Sequence, residues 1–319
     1  MGASEDLWVR IVDALNAHYG AHEGHRAVHA KGTLCAATFA AVPGARSLTR
    51  APHMQGGPVR AHVRFSNAGG DPTRRDGTRD ARGMAVKFYL PDGSTTDIVA
   101  VTTPIFVVRT PEDFLELTRA RKADPATGHP DPEKIGAFLQ AHPESMPAIQ
   151  IALESRAPES YLRCTYHAIH AYGLLDSEGG SRWIRYRWEP VAGESYLDRE
   201  GARAQTHDYL REDLEARLHN GPGAFRLTAQ VAVPDDPIDD PTQAWPEERE
   251  RVELGRLEVT EPAFDREVDG DVLVFDPTRV TDGIECSPDP ILRARPHAYE
   301  ESVFRRTGVR RAPLPASER

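Results

Sequence analysis

The chain has 319 residues, of which 39% are hydrophobic, so it can bury a sizeable core and is not expected to be disordered. Its formal net charge of −10 argues against a nucleic acid or an anionic membrane as the main partner, because those surfaces are bound through clustered lysine and arginine. A neutral or small substrate fits this charge better. The three cysteines include no CxxC pair, which argues against a disulfide framework or a cysteine-rich zinc site.

The same features favour a cytoplasmic location. An odd number of cysteines without paired spacing is typical of a reducing compartment. Residues Met1 to Asp6 lack the basic and apolar regions of a secretory signal. No apolar run approaches the roughly 20 residues of a membrane span. We therefore expect a soluble, unexported protein with no membrane partner.

The N-terminal segment predicts an amphipathic helix. Apolar residues from Leu7 to Tyr19 recur at three- and four-residue spacing. Ser4 can cap this helix, and Gly20 can end it. Apolar or alternating runs separated by turn residues then predict four strands, at 33–42, 58–66, 84–90 and 97–109.

The rest of the chain predicts helices and a second group of strands. Thr110 followed by Pro111 is a helix start, and helical stretches are expected to about residue 160. A capped helix is predicted near 207–219, and the acidic, proline-rich stretch Pro234 to Pro246 is predicted to be an exposed loop. Strand patterning returns at 164–175, 181–188, 225–233 and 252–260.

Eight strands in two groups of about four predict a closed antiparallel barrel. Alternating β-α units would instead predict a parallel sheet. We therefore predict the α+β fold class, with an eight-stranded antiparallel β-barrel and helical insertions. The sequence contains no internal repeat and no convincing second domain, so residues 1–319 are expected to form a single domain.

Two histidines near the N-terminus are candidate ligands or catalytic groups. His25 and His29 lie four residues apart, a spacing that can bind a metal on one helix face. However, no HExxH glutamate accompanies them, and glycines flank the segment. The alternative for such residues is a surface histidine, or a core histidine with its hydrogen bonds satisfied.

A second pair near the C-terminus has informative spacing. Arg295 and Tyr299 are four residues apart, so on a helix the guanidinium can lie beside the phenol oxygen and favour its deprotonated form. A phenolate is a hard, strongly donating ligand for iron.

Four motifs in this order resemble the haem catalases, and especially their short relatives that lack the wrapping and C-terminal segments. They are Arg-x-x-His-Ala-Lys-Gly at 26–32, Val-Arg-Phe-Ser at 63–66, Arg-Asp-x-Arg-Gly-x-Ala-Val-Lys-Phe-Tyr at 79–89, and Gly-Ile-Glu-x-Ser-Pro-Asp at 283–289 leading to Arg-x-x-x-Tyr at 295–299. The resemblance runs from about Ala21 to Arg306, and as an ordered set the motifs are highly specific.

The resemblance implies the catalase-like fold and haem b (iron protoporphyrin IX) as the cofactor. His29 looks like the distal histidine, Ser66 its supporting hydroxyl, and Tyr299 the proximal ligand to the iron, paired with Arg295. Further residues that match positions contacting haem in the family are Arg26, Arg64 and Arg306 at the propionates, and Val28, Phe106 and Phe114 at the ring.

One position departs from the family. Its motif Asp-Leu-Val-Gly-Asn-Asn-Thr-Pro appears here as Asp-Ile-Val-Ala-Val-Thr-Thr-Pro at 97–104, so Val101 stands where the distal asparagine is expected. An aliphatic side chain cannot donate the hydrogen bond that an amide offers to peroxide. The neighbouring Thr102 would point to the opposite face of a strand.

The resemblance and this departure together imply a haem peroxidase or peroxygenase. We expect it to activate hydrogen peroxide or an organic hydroperoxide through a ferryl intermediate, to oxidise a small organic substrate, and to have weak catalase activity. Alternatives are a hydroperoxide dehydratase or isomerase resembling the allene oxide synthases, oxidation of a specialised metabolite, and a non-enzymatic role in haem storage or sensing. Family resemblance also favours a homo-oligomer.

Overall fold

The computed structural model of the chain describes residues 2–263 and 273–308, with side chains from Leu7 onward. Its strands are β1 (Gly32–Ala41), β2 (Pro58–Asn67), β3 (Arg82–Tyr89), β4 (Thr95–Val101), β5 (Tyr166–His167), β6 (Tyr172–Leu175), β7 (Ser181–Pro190), β8 (Gly223–Val231), β9 (Arg251–Pro262) and β10 (Ile284–Cys286). Its α-helices are α1 (Gly2–Tyr19), α2 (Pro111–Ala120), α3 (Pro132–Ala141), α4 (Met146–Glu154), α5 (Arg199–Ala204), α6 (Tyr209–His219) and α7 (Pro290–Thr307). No helix within these described ranges is long and apolar enough to cross a membrane.

The strands close into a barrel. Strands β5, β4, β3, β2, β1, β9 and β8 follow one another in the sheet, and β7 pairs with both β5 and β8, which completes a ring of eight antiparallel strands. Strands β6 and β10 extend the sheet beside β7. Closure leaves no unpaired edge in the ring. The predicted α+β fold with a closed eight-stranded antiparallel barrel is therefore confirmed.

Side chains along β2, β3 and β4 point alternately into the barrel core and towards a cavity outside it. Phe65 and Val86 are fully buried in the barrel core, while their neighbours Ser66 and Ala85 line a cavity outside it. Successive side chains of a strand point to opposite faces, so the same strands serve both regions. Helices α1, α2 and α7 pack against one another over this outer side.

Two element boundaries were predicted wrongly. Strand β4 ends at Val101 and does not continue to 109, because the chain leaves the sheet at Pro104 and the Phe106 N–H donates to the carbonyl oxygen of Pro241. Helix α1 begins at Gly2, ahead of the predicted cap Ser4.

Other boundaries were predicted correctly. Helix α1 ends before Gly20, which has φ +92°. Thr110 caps α2, since its hydroxyl oxygen accepts from the Asp113 N–H at 3.2 Å. The predicted strand at 164–175 is present as the two pieces β5 and β6, which flank a turn containing His170.

The stretch Pro234 to Pro246 is a loop, as predicted, but only part of it is exposed. Asp240 and Trp245 within it are buried. The guanidinium of Arg185, on β7, donates to the carbonyl oxygen of Gln243 at 2.6 Å and lies 4.5 Å from the centre of the Trp245 ring. A buried guanidinium satisfies backbone carbonyls that would otherwise need water, which allows an irregular segment to lie against the barrel.

The barrel core is aromatic and contains one unusual histidine. Its fully buried large side chains include Phe39, Phe88 and Trp188, and burial of each such ring contributes roughly 1.5–3 kcal/mol. His53 is 1% exposed and stacks on Phe88 at 4.9 Å. Neither of its ring nitrogens has a hydrogen-bond partner in the described part of the chain. Burial lowers the pKa of His53 to about 4.

We predict that His53→Leu reduces the acid sensitivity of the fold. The pKa of His53 is about 4 in the folded state and about 6.5 in an unfolded chain. As pH falls between these values, the histidine is protonated in the unfolded state and stays neutral in the folded state, which favours unfolding. The contribution of neutral His53 to the free energy of unfolding is fully present above pH 6.5 and is lost as pH falls towards 4. Between pH 7 and 4.5 the variant should lose about 2 kcal/mol less unfolding free energy than the wild type, measured by urea denaturation.

The exposed His129 provides the control. His129→Leu should keep the wild-type dependence of unfolding free energy on pH. If His53→Leu has the same dependence as His129→Leu, the core histidine is not the source of acid sensitivity.

Candidate functional site

A cavity of about 340 Å³ lies between the outer face of the barrel and helices α1, α2 and α7. Its lining combines residues from the two ends of the sequence. Ten of the eleven predicted site residues line it: Arg26, Val28, His29, Arg64, Ser66, Phe106, Phe114, Arg295, Tyr299 and Arg306.

His29 is held by several contacts in an uncommon backbone conformation. Its φ is +56°, and it is the one non-glycine residue in the described ranges with a positive φ. Its Nδ1 and the Ser66 hydroxyl share a hydrogen bond of 2.9 Å, and its N–H donates to the carbonyl oxygen of Ala68. Arg64 donates to the His29 carbonyl oxygen at 3.0 Å. Such conformations persist only where the surroundings impose them, and they are concentrated at functional sites.

Gly83 makes room for the imidazole. A Cβ at this position would lie 2.8 Å from Nδ1 of His29 and 2.7 Å from the hydroxyl oxygen of Ser66. Any larger residue at position 83 would therefore push His29 and Ser66 apart. The glycine in the Arg-Gly motif is required by this close approach.

The His29 ring is neutral near pH 7. Burial lowers its pKa to about 3, and the positive charges of Arg64, Arg295 and Arg26 act in the same direction. A neutral imidazole bordering a cavity can accept a proton from a bound molecule and return it.

On the other chain segment, Tyr299 is the first member of a hydrogen-bonded series. Nε of Arg295 donates to the Tyr299 oxygen at 2.9 Å, as the i, i+4 spacing on helix α7 predicted. The same guanidinium lies 3.0 Å from Nε2 of His170, and Nδ1 of His170 lies 2.6 Å from a carboxylate oxygen of Asp289. Since a guanidinium only donates, Nε2 accepts and Nδ1–H donates to Asp289.

This series determines the charge state of Arg295. Burial alone would lower its pKa, but the negative charge and hydrogen bond available at Tyr299 raise it. Burial lowers the pKa of His170, against the opposing effect of Asp289. Arg295 is thus a permanent cation within hydrogen-bond distance of the phenol oxygen.

His170 and Asp289 were not predicted as site residues. Asp289 lies in the Ser-Pro-Asp-Pro motif, and its other oxygen caps α7 by accepting from the Ile291 N–H at 2.8 Å. That capping signal was present in the sequence. Nothing local marks His170, since its partners are more than a hundred residues away.

Aromatic and basic groups complete the lining. Phe106 and Phe114 stack with ring centres 5.7 Å apart. Arg26 donates to the Leu273 carbonyl oxygen at 2.8 Å, and Arg306 donates to the Ser302 hydroxyl. Apolar walls with a few convergent cationic groups are suited to a flat, apolar ligand that carries acidic substituents.

Val101 occupies the margin of the site. Register pairs it with Gly83, so it shares the outer face of the sheet with Val99. It does not belong to the described residues that line the cavity. The Thr102 hydroxyl accepts from the Arg82 N–H at 3.0 Å, so this oxygen is engaged in the sheet. The exposed His25 also lies outside the described lining.

Comparison with known proteins identifies the family. The catalase family model matches residues 11–318. The chain belongs to the catalase family. A catalase-related peroxidase from Mycolicibacterium paratuberculosis is 44% identical over 303 residues, which cover 95% of this chain and 95% of the relative. One from Synechococcus elongatus is 31% identical over 298 residues, covering 93% and 88%.

Solved catalases share the fold. A fungal catalase has a TM-score of 0.81 at 24% identity, over 90% of this chain and 60% of the fungal one. Catalase A from Saccharomyces cerevisiae has a TM-score of 0.79 at 23% identity, over 89% and 62%. This catalase-family chain thus spans about 60% of the length of these larger catalases.

Family membership makes the chain an oxidoreductase that acts on peroxide, with haem as the cofactor of the family. The cavity fits this group. Its lining has a phenol oxygen beside a fixed cation, an imidazole from another segment, four further arginines, and apolar walls. This set can hold an iron porphyrin and neutralise its two carboxylates.

We predict that Gly83→Ala lowers the rate of the peroxide-dependent activity on the order of 10²-fold while the barrel still folds. The new methyl group would displace His29 or Ser66 by several tenths of an ångström or more. A misplaced proton-transfer group typically costs on the order of 10²-fold in rate. The measurement is the initial rate of hydrogen peroxide consumption by haem-loaded protein, with circular dichroism as the check on folding.

Gly44→Ala is the matched control, because no atom lies within 4 Å of the added Cβ. It should retain the wild-type rate. A wild-type rate in Gly83→Ala would mean that the His29 position is unimportant.

Proposed function

We propose that this catalase-family member is a haem b-dependent peroxidase or peroxygenase with weak catalase activity. It reduces hydrogen peroxide or an organic hydroperoxide and oxidises a small organic substrate. The observation that carries the proposal is one cavity lined by both His29 and Tyr299, each with its own hydrogen-bonded support.

Tyr299 is the proposed iron ligand. Haem, when bound, supplies the redox chemistry that cleaves the O–O bond of a peroxide. The chain's own contribution on this side is the cation of Arg295, whose Nε donates a hydrogen bond to the phenol oxygen at 2.9 Å. His170 and Asp289 fix the guanidinium, so its orientation does not depend on solvent. Arg26, Arg64 and Arg306 are proposed to bind the propionates, and Val28, Phe106 and Phe114 to pack on the ring.

His29 is the proposed acid–base group. The neutral imidazole takes a proton from one oxygen of the peroxide and delivers it to the departing oxygen, which leaves as water or alcohol. Its low pKa keeps it unprotonated before substrate arrives. Ser66 and the space over Gly83 keep the ring in place during this transfer.

The balance between catalase and peroxidase activity is proposed to depend on Val101. A catalase must orient a second hydrogen peroxide as reductant, and this small polar molecule needs hydrogen-bond donors. Val101 offers none, and Thr102 is not among the described residues that line the cavity. Loss of one positioned donor often costs on the order of 10²-fold in rate. An organic reductant that donates electrons at the cavity edge does not need this donor.

Three broader features are part of the proposal. Residues 1–319 form one haem-binding domain, supported by the match of a single family over 11–318. The protein works in the cytoplasm, supported by three cysteines that are all free thiols. It assembles as a homo-oligomer, as its resemblance to the family suggests.

We predict that Val101→Asn raises oxygen evolution from hydrogen peroxide by tenfold or more, since it places an amide donor on β4 directly opposite Gly83 of β3, the neighbour of His29. The test measures oxygen evolution and oxidation of guaiacol by haem-loaded protein, with absorption spectra before and after peroxide.

Val101→Leu is the control, because leucine has nearly the shape of asparagine without the amide. It should keep the low oxygen evolution of the wild type. The proposal is contradicted if the wild-type protein already evolves oxygen as fast as ordinary catalases, or if peroxide changes neither the spectrum nor guaiacol.

A further inference from the structure

The cavity reaches solvent beside one arginine. Arg121, directly after helix α2, is the one exposed side chain in the described lining of the cavity. It differs in origin from the arginines proposed to bind the propionates, which come from the segment before β1, from β2 and from α7. Arg121 therefore marks a mouth at the end of α2, apart from the fixed guanidinium groups deeper in the site.

The last two residues of helix α1 form the other side of this mouth. His18 and Tyr19 both line the cavity and are half-buried. Burial lowers the pKa of His18, and the nearby charge of Arg121 lowers it further. Burial raises the pKa of Tyr19, where the charge of Arg121 acts in the opposite direction. A cation thus stands close to two neutral hydrogen-bonding rings.

A second arginine lies behind Tyr19. A Cβ added at Gly69 would lie 3.3 Å from the Asp80 carboxylate, 3.7 Å from the Tyr19 ring and 3.9 Å from a guanidinium nitrogen of Arg74. The Asp80 carboxylate accepts from the Gly69 N–H at 2.9 Å and is partly engaged there. Neither Arg74 nor Asp80 belongs to the described lining, and their opposite charges offset each other, which leaves Arg121 as the cation of the mouth in a chain of net charge −10.

The walls behind the mouth are apolar. Leu15 from α1 and Leu117 from α2 lie one turn before the polar groups and line the same cavity. A molecule entering here would meet a cationic entrance and then an apolar passage. This order suits an amphipathic ligand with one acidic end.

We infer that the mouth formed by Arg121, His18 and Tyr19 binds the carboxylate of the organic substrate, so that the substrate is an amphipathic organic acid. The inference rests on the proposed peroxidase function for its biological meaning. The acid group stays at the mouth, paired with Arg121, and the apolar body extends towards the site of oxidation. Hydrogen peroxide is uncharged and gains nothing from this cation.

Binding tests the site without requiring turnover. Haem-loaded protein is titrated at pH 7 with 3-phenylpropionate and with 3-phenylpropionamide, using calorimetry. The acid should bind about fivefold tighter than the amide, the upper range for an ion pair at a partly exposed site. Arg121→Gln should remove this preference, and Arg121→Lys should keep part of it.

Arg119→Gln is the matched control, since Arg119 is an exposed arginine on α2 outside the described lining. It changes net charge equally and should keep the preference for the acid. Thermal unfolding of each variant checks that the fold is intact. Equal binding of acid and amide by the wild type, no binding of either, or a preference retained in Arg121→Gln would overturn the inference.

Turnover separates the inference from the proposed function. The probes are 3-(4-hydroxyphenyl)propionate and its amide, with hydrogen peroxide as oxidant. Two phenol molecules each give up one electron and one proton, and hydrogen peroxide is reduced to two waters. Arg121→Gln should raise KM for the acid about fivefold and leave KM for the amide and kcat unchanged.

Two outcomes distinguish the claims. If the acid binds preferentially through Arg121 but neither phenol is oxidised, the peroxidase proposal fails and the acid-binding mouth stands. If both phenols are oxidised with equal KM in wild type and Arg121→Gln, the mouth does not select acids and the peroxidase proposal stands.

Discussion

The alternation of side chains along β2 and β3 is the constraint on which the rest of the molecule depends. Phe65 belongs to the barrel core, whereas Ser66, the next residue, supports His29 in the cavity. A register shift of one residue would exchange these two faces and destroy both core and site. The same strand register therefore determines both the stability of the barrel and the geometry of the site. This coupling makes the closed barrel a precise support for the distal side.

On the proximal side, helix capping and chemistry are joined in Asp289. One carboxylate oxygen begins α7, and the other holds His170, which in turn orients Arg295 beside Tyr299. The position of the helix and the charge at the phenol are thus set together. On the opposite side of the cavity, His29 has a strained backbone conformation, and Gly83 has no side chain to collide with its ring. Both features fix the position of the group that is proposed to transfer a proton.

Charge is organised locally in a way that composition does not reveal. A net charge of −10 suggested a neutral substrate, yet Arg121 places a cation at the cavity mouth. Net charge describes the field far from the molecule, while a partly enclosed entrance responds to the few groups around it. The charge that selects the substrate can therefore be opposite in sign to the net charge of the whole protein.

The sequence by itself determined eight strands near their observed positions and the spacing that pairs Arg295 with Tyr299, because periodicity and spacing act over short stretches of chain. The ten predicted residues that line the cavity came from the resemblance of the ordered motifs to the catalases. Tertiary structure alone decided the early end of β4, the burial of Asp240 and Trp245 in the Pro234 to Pro246 loop, the contacts of His170, and the exposure of Arg121 at the mouth. Each of these depends on a partner distant in sequence, and no local pattern specifies which distant segment closure of the barrel will bring alongside.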